Sequence, residues 1–165
     1  MVRLSCSPGI CRWMRHGLLA AAIILIDQCT KRWIIMQAPA SEYALNKGFC
    51  WGMFSNQCSL LSTLSYCMLS GGILLLIALV LWHVAARMHQ NVRVWPYVLI
   101  AAGAISNNLI DRPLYQGVID FIVISFSVPV LGTYTWPLFN VADIAIVVGV
   151  CAGLYYDVIG ACSEA

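Results

Sequence analysis

Four apolar runs, at about 17–36, 60–86, 94–111 and 139–156, dominate this chain of 165 residues. A bilayer span needs roughly 20 residues at about 1.5 Å of rise each, and all four runs reach or approach that length. Runs of this length read as membrane helices, whose backbone amides bond within the segment. The charge content agrees. Only 10% of residues are charged and 61% are hydrophobic, whereas soluble domains carry about 25% charged residues. The chain therefore reads as a single all-α integral membrane domain over residues 1–165, with four transmembrane helices.

Against that background four acids stand out: Asp27, Asp111, Asp120 and Asp143 lie in or beside the apolar runs, out of only seven Asp and Glu in the chain. A carboxylate at mid-membrane costs at least ~2.5–3.5 kcal/mol, so each needs a partner, a polar cavity or a task. The third and fourth runs are slightly short, which places Asp111 and Asp143 near a membrane boundary.

The basic residues suggest an orientation. With four spans both termini share one side. Arg3, Arg12, Arg15, Arg87 and Arg93 fall on it, against Lys31, Arg32, Lys47 and Arg112 opposite. The positive-inside rule makes the first side cytoplasmic. Trp82, Trp95, Tyr97, Tyr155 and Tyr156 mark the same interface. Two segments then lie outside. Residues 37–59 contain Pro39, Gly48 and Gly52. Residues 113–138 contain a Val/Ile/Phe/Ser-rich run, 118–130, bounded by turn residues, which reads as strand. A small extracytoplasmic β-sheet at the outer membrane surface is expected.

Other classes find little support. No basic stripe interleaved with aromatics points to nucleic acid, and no His/Cys cluster has zinc spacing. Among the eight Cys, the thiols of Cys29, Cys67 and Cys151 in apolar runs read as small buried groups. Cys50 and Cys58 share one loop, and a bridge between them depends on that loop facing an oxidising compartment. Arg12 and Arg15 before an apolar run resemble a signal peptide, but Ile26-Asp27-Gln28 before Cys29 lacks the small residues a cleavage site needs. The first run is expected to be an uncleaved helix.

Several polar groups have chemistry to explain. Asp27, Thr30 and Lys31 share one face of a helix; the ordinary reading is a structural ion pair with Lys31 snorkelling outward. Asn108, Asp111 and Arg112 also share a helical face, and Pro113 is expected to end that helix. Gly103, Ala104 and Ser106 suit close helix packing. An amide one turn inside an apolar run, as at Asn108, needs partners. Asn140 and Asp143 look like the N-cap and first turn of the fourth helix, much as in a capping box. Asp120 has no such structural role, since a β-branched apolar run disfavours a carboxylate.

Taken in order on four spans, these motifs resemble signal peptidase II, the prokaryotic lipoprotein signal peptidase family. The resemblance runs through Asp27-Gln-Cys-Thr-Lys31, Asn46-Lys-Gly48 with Cys50-Trp51-Gly52, Asn107-Asn-Leu-Ile-Asp-Arg112, Val118-Ile-Asp-Phe121 and Phe139-Asn-Val-Ala-Asp143. Two positions depart from it: Asn107 stands where Gly is usual, and Ile144 where Ser is common. The resemblance implies an aspartic endopeptidase with Asp120 and Asp143 as its catalytic dyad. It implies a substrate already carrying diacylglycerol on its +1 Cys, cut just before that Cys, with no metal or cofactor. Cyclic peptides of the globomycin type would inhibit it. Beyond substrate and membrane lipids no partner is expected, and the chain would act as a monomer.

The remaining roles follow from side-chain chemistry. Asn46, Asn108 and Asn140 can orient the dyad and hold substrate backbone without adding charge. Gly48 and Arg112 join that set, Arg112 by pairing with Asp111 or by contacting peptide or lipid carbonyls. Asp27, Lys31 and Asp111 read as structural polar residues. The alternative from a different class is a four-helix proton- or ion-coupled transporter using its intramembrane acids as a relay. A relay should string its acids across the membrane, whereas these four map to one end. A membrane scaffold would explain the helix-end pairs but not Asp120.

Overall fold

In the computed structural model, the described residues are 8–39, 42–47, 60–87, 93–129 and 132–163. Helix α1 spans Pro8–Gln37 and α2 spans Leu60–Arg87; α3 covers Trp95–Ile105. A π-helical turn, Ser106–Asp111, follows α3 without a break and leads into the short α4, Arg112–Tyr115. The last helix, α5, is Val141–Ser163. Strands β1 (Ala44–Asn46), β2 (Val118–Asp120), β3 (Ser125–Val128) and β4 (Gly132–Thr135) form two separate antiparallel pairs, β1 with β2 and β3 with β4. Among the described residues two helical stretches are long and apolar enough to cross a membrane, Gly9–Gln37 and Ser70–Arg87.

Helix α3 sits at the centre, packed against α1, α2 and α5. Small residues permit its approach to α5. A side chain at Gly103 would run into the carbonyl of Ala142, and one at Gly149 would sit 2.5 Å from the carbonyl oxygen of Pro96. Val84, Val94 and Val98 form a buried cluster where α2 meets α3. The outer faces stay apolar and uncovered: Leu18, Leu25, Leu75, Leu76, Val147 and Leu154 are all exposed. That is the inverse of a water-soluble helical bundle, which buries its apolar stripe and exposes polar residues.

Several expectations change. Helix α1 begins at Pro8 rather than near residue 17, so Arg12 and Arg15 are helical rather than flanking. Helix α5 continues past residue 156 to Ser163. Pro113 does not stop the third helix; it sits in the first turn of α4, and the chain turns instead at Gln116, whose φ is +57°. A proline removes one N–H and crowds the carbonyl four residues back. The π turn just before it is where the hydrogen-bond register already shifts, so the helix absorbs the proline. Cys29 and Cys151 are exposed thiols on the outer helix surface, not buried ones. Gly48, Cys50, Cys58 and Trp51 lie outside the described residues.

The reversal after α4 aims β2 at the site. Gly117 is buried where a Cβ would lie 3.0 Å from the Asn46 carbonyl oxygen, so β2 can run hard against β1. Their register pairs Ala44 with Asp120 and Asn46 with Val118. Beyond β2 the amide of Ile122 donates to the Phe139 carbonyl at 2.8 Å, and Phe139 donates back at 3.3 Å. These bonds hold the end of β2 beside the start of α5.

Candidate active site

Asp120 and Asp143 meet across one side chain, Asn140. The Asn140 amide nitrogen donates to Asp120 Oδ1 at 2.7 Å, and its oxygen accepts the Asp143 backbone N–H at 3.0 Å. Asp143 Oδ2 in turn accepts the Asn140 backbone N–H at 3.1 Å. The last two bonds are reciprocal, as in a capping box, with Asp in place of the usual Glu or Gln. One residue thus starts α5, fixes Asp143 in its first turn and reaches over to Asp120. Asn46, at the end of β1, donates to the other Asp120 oxygen at 3.1 Å.

Asp120 is 4% exposed. Burial pushes its carboxyl up to about 6, and the negative charge of Asp143 pushes the same way. Hydrogen bonds from Asn46 and Asn140 and the charge of Lys31 oppose the rise without cancelling it. A raised carboxyl holds its proton below that value and ionises above it. Its contribution to folding is thus fully present below the unfolded carboxyl range and is lost as pH rises through about 6. A carbon-13 titration of the Asp120 carboxyl in detergent is expected to show a midpoint near 6. Asp143→Asn is expected to lower that midpoint, because one of the raising charges is gone. An unchanged midpoint in the variant would show that the two carboxyls do not interact.

Both acids line a cleft of about 340 Å³. Asn46, Asn107, Asn108 and Arg112 supply its polar wall, and Ile73, Val118, Leu138, Ile146 and Val147 its apolar one. A second groove, of about 360 Å³ and almost wholly apolar, also reaches Asp143. Ile124, Phe126, Trp136, Phe139, Ile144, Val147 and Val148 form it.

Behind the cleft lies a polar network whose charged members are fully buried. Lys31 does not snorkel; it is 0% exposed, with its ammonium 2.6 Å from Asp27 and 2.7 Å from Asp111. Its third contact is the Asn107 side-chain oxygen, which accepts from the ammonium at 2.7 Å. Asp27 also accepts the Ser106 hydroxyl at 2.7 Å and the Ala142 backbone N–H at 2.9 Å. The second of these places a carboxylate from α1 on the N-terminus of α5, where the helix dipole favours it. Asp111 accepts the Gln28 amide at 2.6 Å and the Ile119 backbone N–H at 3.3 Å. Two carboxylates and one ammonium leave an excess negative charge, which these N–H donors and the helix end offset. Thr30 stays out of the network, its hydroxyl bonded back to the carbonyls of Ile26 and Asp27.

Of the expected grouping of Asn108, Asp111 and Arg112, the Asn108–Arg112 pair is observed and Asp111 leaves it. Asp111 faces inward to Lys31, while Asn108 faces the cleft and accepts the Arg112 Nε at 3.0 Å. Arg112 therefore reaches Asn108 rather than Asp111. Three residues missed in the sequence complete the site: Gln28, Ser106 and above all Asn107, whose amide nitrogen donates to Asp143 Oδ1 at 2.9 Å. The signal for them was present, since each is a polar group inside an apolar helix and needs a partner.

Comparison with known proteins places the chain in a family. The profile of the signal peptidase (SPase) II family matches residues 19–159. A lipoprotein signal peptidase of Rhodopseudomonas palustris (strain TIE-1) is 37% identical over 163 residues, covering 90% of this chain and 94% of its own. Another, from Clostridium acetobutylicum, is 31% identical over 144 residues, 80% of this chain and 86% of its own. A solved bacterial membrane enzyme shares the fold at a TM-score of 0.59 and 22% identity, covering 86% of this chain and 90% of that one. The transporter alternative finds no support in these matches. By profile and by relatives together, the chain belongs to the signal peptidase II family of peptidases.

Proposed function

We propose that this chain is a membrane aspartic endopeptidase that removes signal peptides from diacylglyceryl-modified prolipoproteins, cutting just before the lipidated Cys. One observation carries the reading: two carboxyls from distant segments, Asp120 and Asp143, are held together by Asn140 at the wall of one cleft. Two neighbouring carboxyls resist double ionisation and share a proton. The ionised member takes a proton from water, the protonated member polarises the scissile carbonyl, and the pair then protonates the leaving amine. The pair titrates as a unit. Asn46, Asn108 and Arg112 line the same cleft and present amide and guanidinium groups to an extended peptide backbone. The apolar groove beside Asp143 offers acyl chains a surface continuous with the bilayer.

The reading includes four spans, with both termini cytoplasmic, the dyad at the extracytoplasmic side and the chain acting as a monomer. Supporting the orientation, Arg93 stacks on Tyr156 and Trp95 packs against the same ring. This basic, aromatic cluster joins the start of α3 to the later part of α5, away from the dyad.

The test is cleavage in detergent by the purified protein. A precursor carrying the diacylglyceryl group is expected to be cut. The unlipidated precursor should be cut poorly, because each buried methylene it lacks forfeits ~0.8 kcal/mol of anchoring. A globomycin-type cyclic peptide should compete. A proton relay predicts none of this, and predicts instead flux driven by a pH gradient in liposomes. Such flux without cleavage of the lipidated precursor would overturn the peptidase reading.

A further inference from the structure

Asn107 occupies a place where the matching motif usually carries Gly, yet it is 6% exposed and bonded on both sides. Its oxygen accepts from the Lys31 ammonium at 2.7 Å, and its nitrogen donates to Asp143 Oδ1 at 2.9 Å. The orientation of this amide is not arbitrary. An ammonium can only donate, so the amide oxygen must face Lys31 and the N–H groups must face Asp143. Withdrawal of electron density at the oxygen makes those N–H groups better donors. Asp143 Oδ2 faces a second donor of fixed direction, the Asn140 backbone N–H at 3.1 Å. Both oxygens of Asp143 therefore meet donors that cannot turn away.

We propose that Asn107 is a positioning residue for the reaction, joining the buried Lys31 ammonium to Asp143 and holding that carboxylate in the orientation that receives the proton of the attacking water. The proposal rests on Asp143 being one of the dyad, as argued above. It makes the network behind the cleft part of the catalytic apparatus, through a side chain that touches both. Its geometry comes from the π turn, which turns Asp111 inward and leaves Asn107 between the buried network and the cleft, with Asn108 and Arg112 on the cleft wall.

The test uses the full-length enzyme and a lipidated precursor. Asn107→Asp keeps the shape and the acceptor for Lys31 but cannot donate to Asp143 while ionised. It is expected to lower kcat about 10–100-fold with KM nearly unchanged, the usual effect of losing a hydrogen bond to a charged group. Acidification should restore part of that kcat, because the protonated new carboxyl donates again, whereas the unmodified enzyme should show no such gain. The charged groups around the new carboxyl are Lys31 and Asp27 from α1, Asp111 and Arg112 on its own stretch, Asp120 from β2 and Asp143 from α5. Asn107→Gly removes both contacts without adding bulk. It should show the same kcat loss with no recovery in acid, at a melting temperature that confirms folding. Full kcat in either variant overturns the role, as does a loss confined to KM or an Asn107→Asp pH profile parallel to that of the unmodified enzyme. Failure of the unmodified protein to cut the lipidated precursor is a different result: it overturns the peptidase reading and this role with it.

Discussion

Asp120→Asn is expected to reduce cleavage of a lipidated precursor by about 10⁴-fold or more, the scale seen when a member of a catalytic unit is removed. Asn keeps the shape and still accepts the 2.7 Å bond from Asn140. It cannot exchange a proton, which is the whole of its proposed task. The fold should survive. The carboxyl is 4% exposed and lies beside a second acid, so replacing it with a neutral amide removes both a desolvation cost and a repulsion. One bond suffers, because the new NH₂ would face the Asn46 amide nitrogen. Melting in detergent should therefore stay close to that of the unmodified protein. The same outcome is expected for Asp143→Asn. Turnover by folded, purified Asp120→Asn within tenfold of the unmodified enzyme would remove Asp120 from the chemistry.

The second large effect is on stability. Lys31→Met should destabilise the protein by about 3–5 kcal/mol, the usual cost of stripping one partner from a buried ion pair. The ammonium sits between Asp27 and Asp111, all three fully buried. Met fills similar space but leaves two carboxylates facing each other without a cation. Asp27→Asn should cost less, since Lys31 keeps Asp111 and Asn107. The comparison separates charge from packing, and thermal unfolding in detergent measures it. Equal melting of Lys31→Met and the unmodified protein would mean that this network does not tie α1 to α3 and α5.

How much of this was legible in the sequence depends on the length scale of the signal. Helix α2 was readable almost to the residue, because a long, mainly apolar run without charge or proline before Arg87 leaves no competing structure. The start of α1 was not, since charges such as Arg12 and Arg15 interrupt an apolar pattern without stopping a helix. The strand signal in 118–130 was real, but its partners were not visible. β2 pairs backwards in sequence with β1, and β3 pairs with β4, which lies beyond the run. Asp120, Asp143 and Asn140 could be named because each was hard to explain in its segment or matched a cap. Asn107 could not be assigned by spacing. A count at 3.6 residues per turn grouped Asn108, Asp111 and Arg112, and the π turn divides that group between two faces.

Asn140 has a consequence for the life of the protein before it is an enzyme. Asp143 lies on the last helix, and Asp27 on the first helix caps that helix through the Ala142 amide at 2.9 Å. A chain made from its N-terminus carries Asp120 for a time without its partner. Docking of α5 brings the Ala142 amide to Asp27 and Asn140 to Asp120, and so creates the pair. On the proposed mechanism, a chain whose last helix has not docked holds only one of the two acids and lacks the pair that the reaction needs.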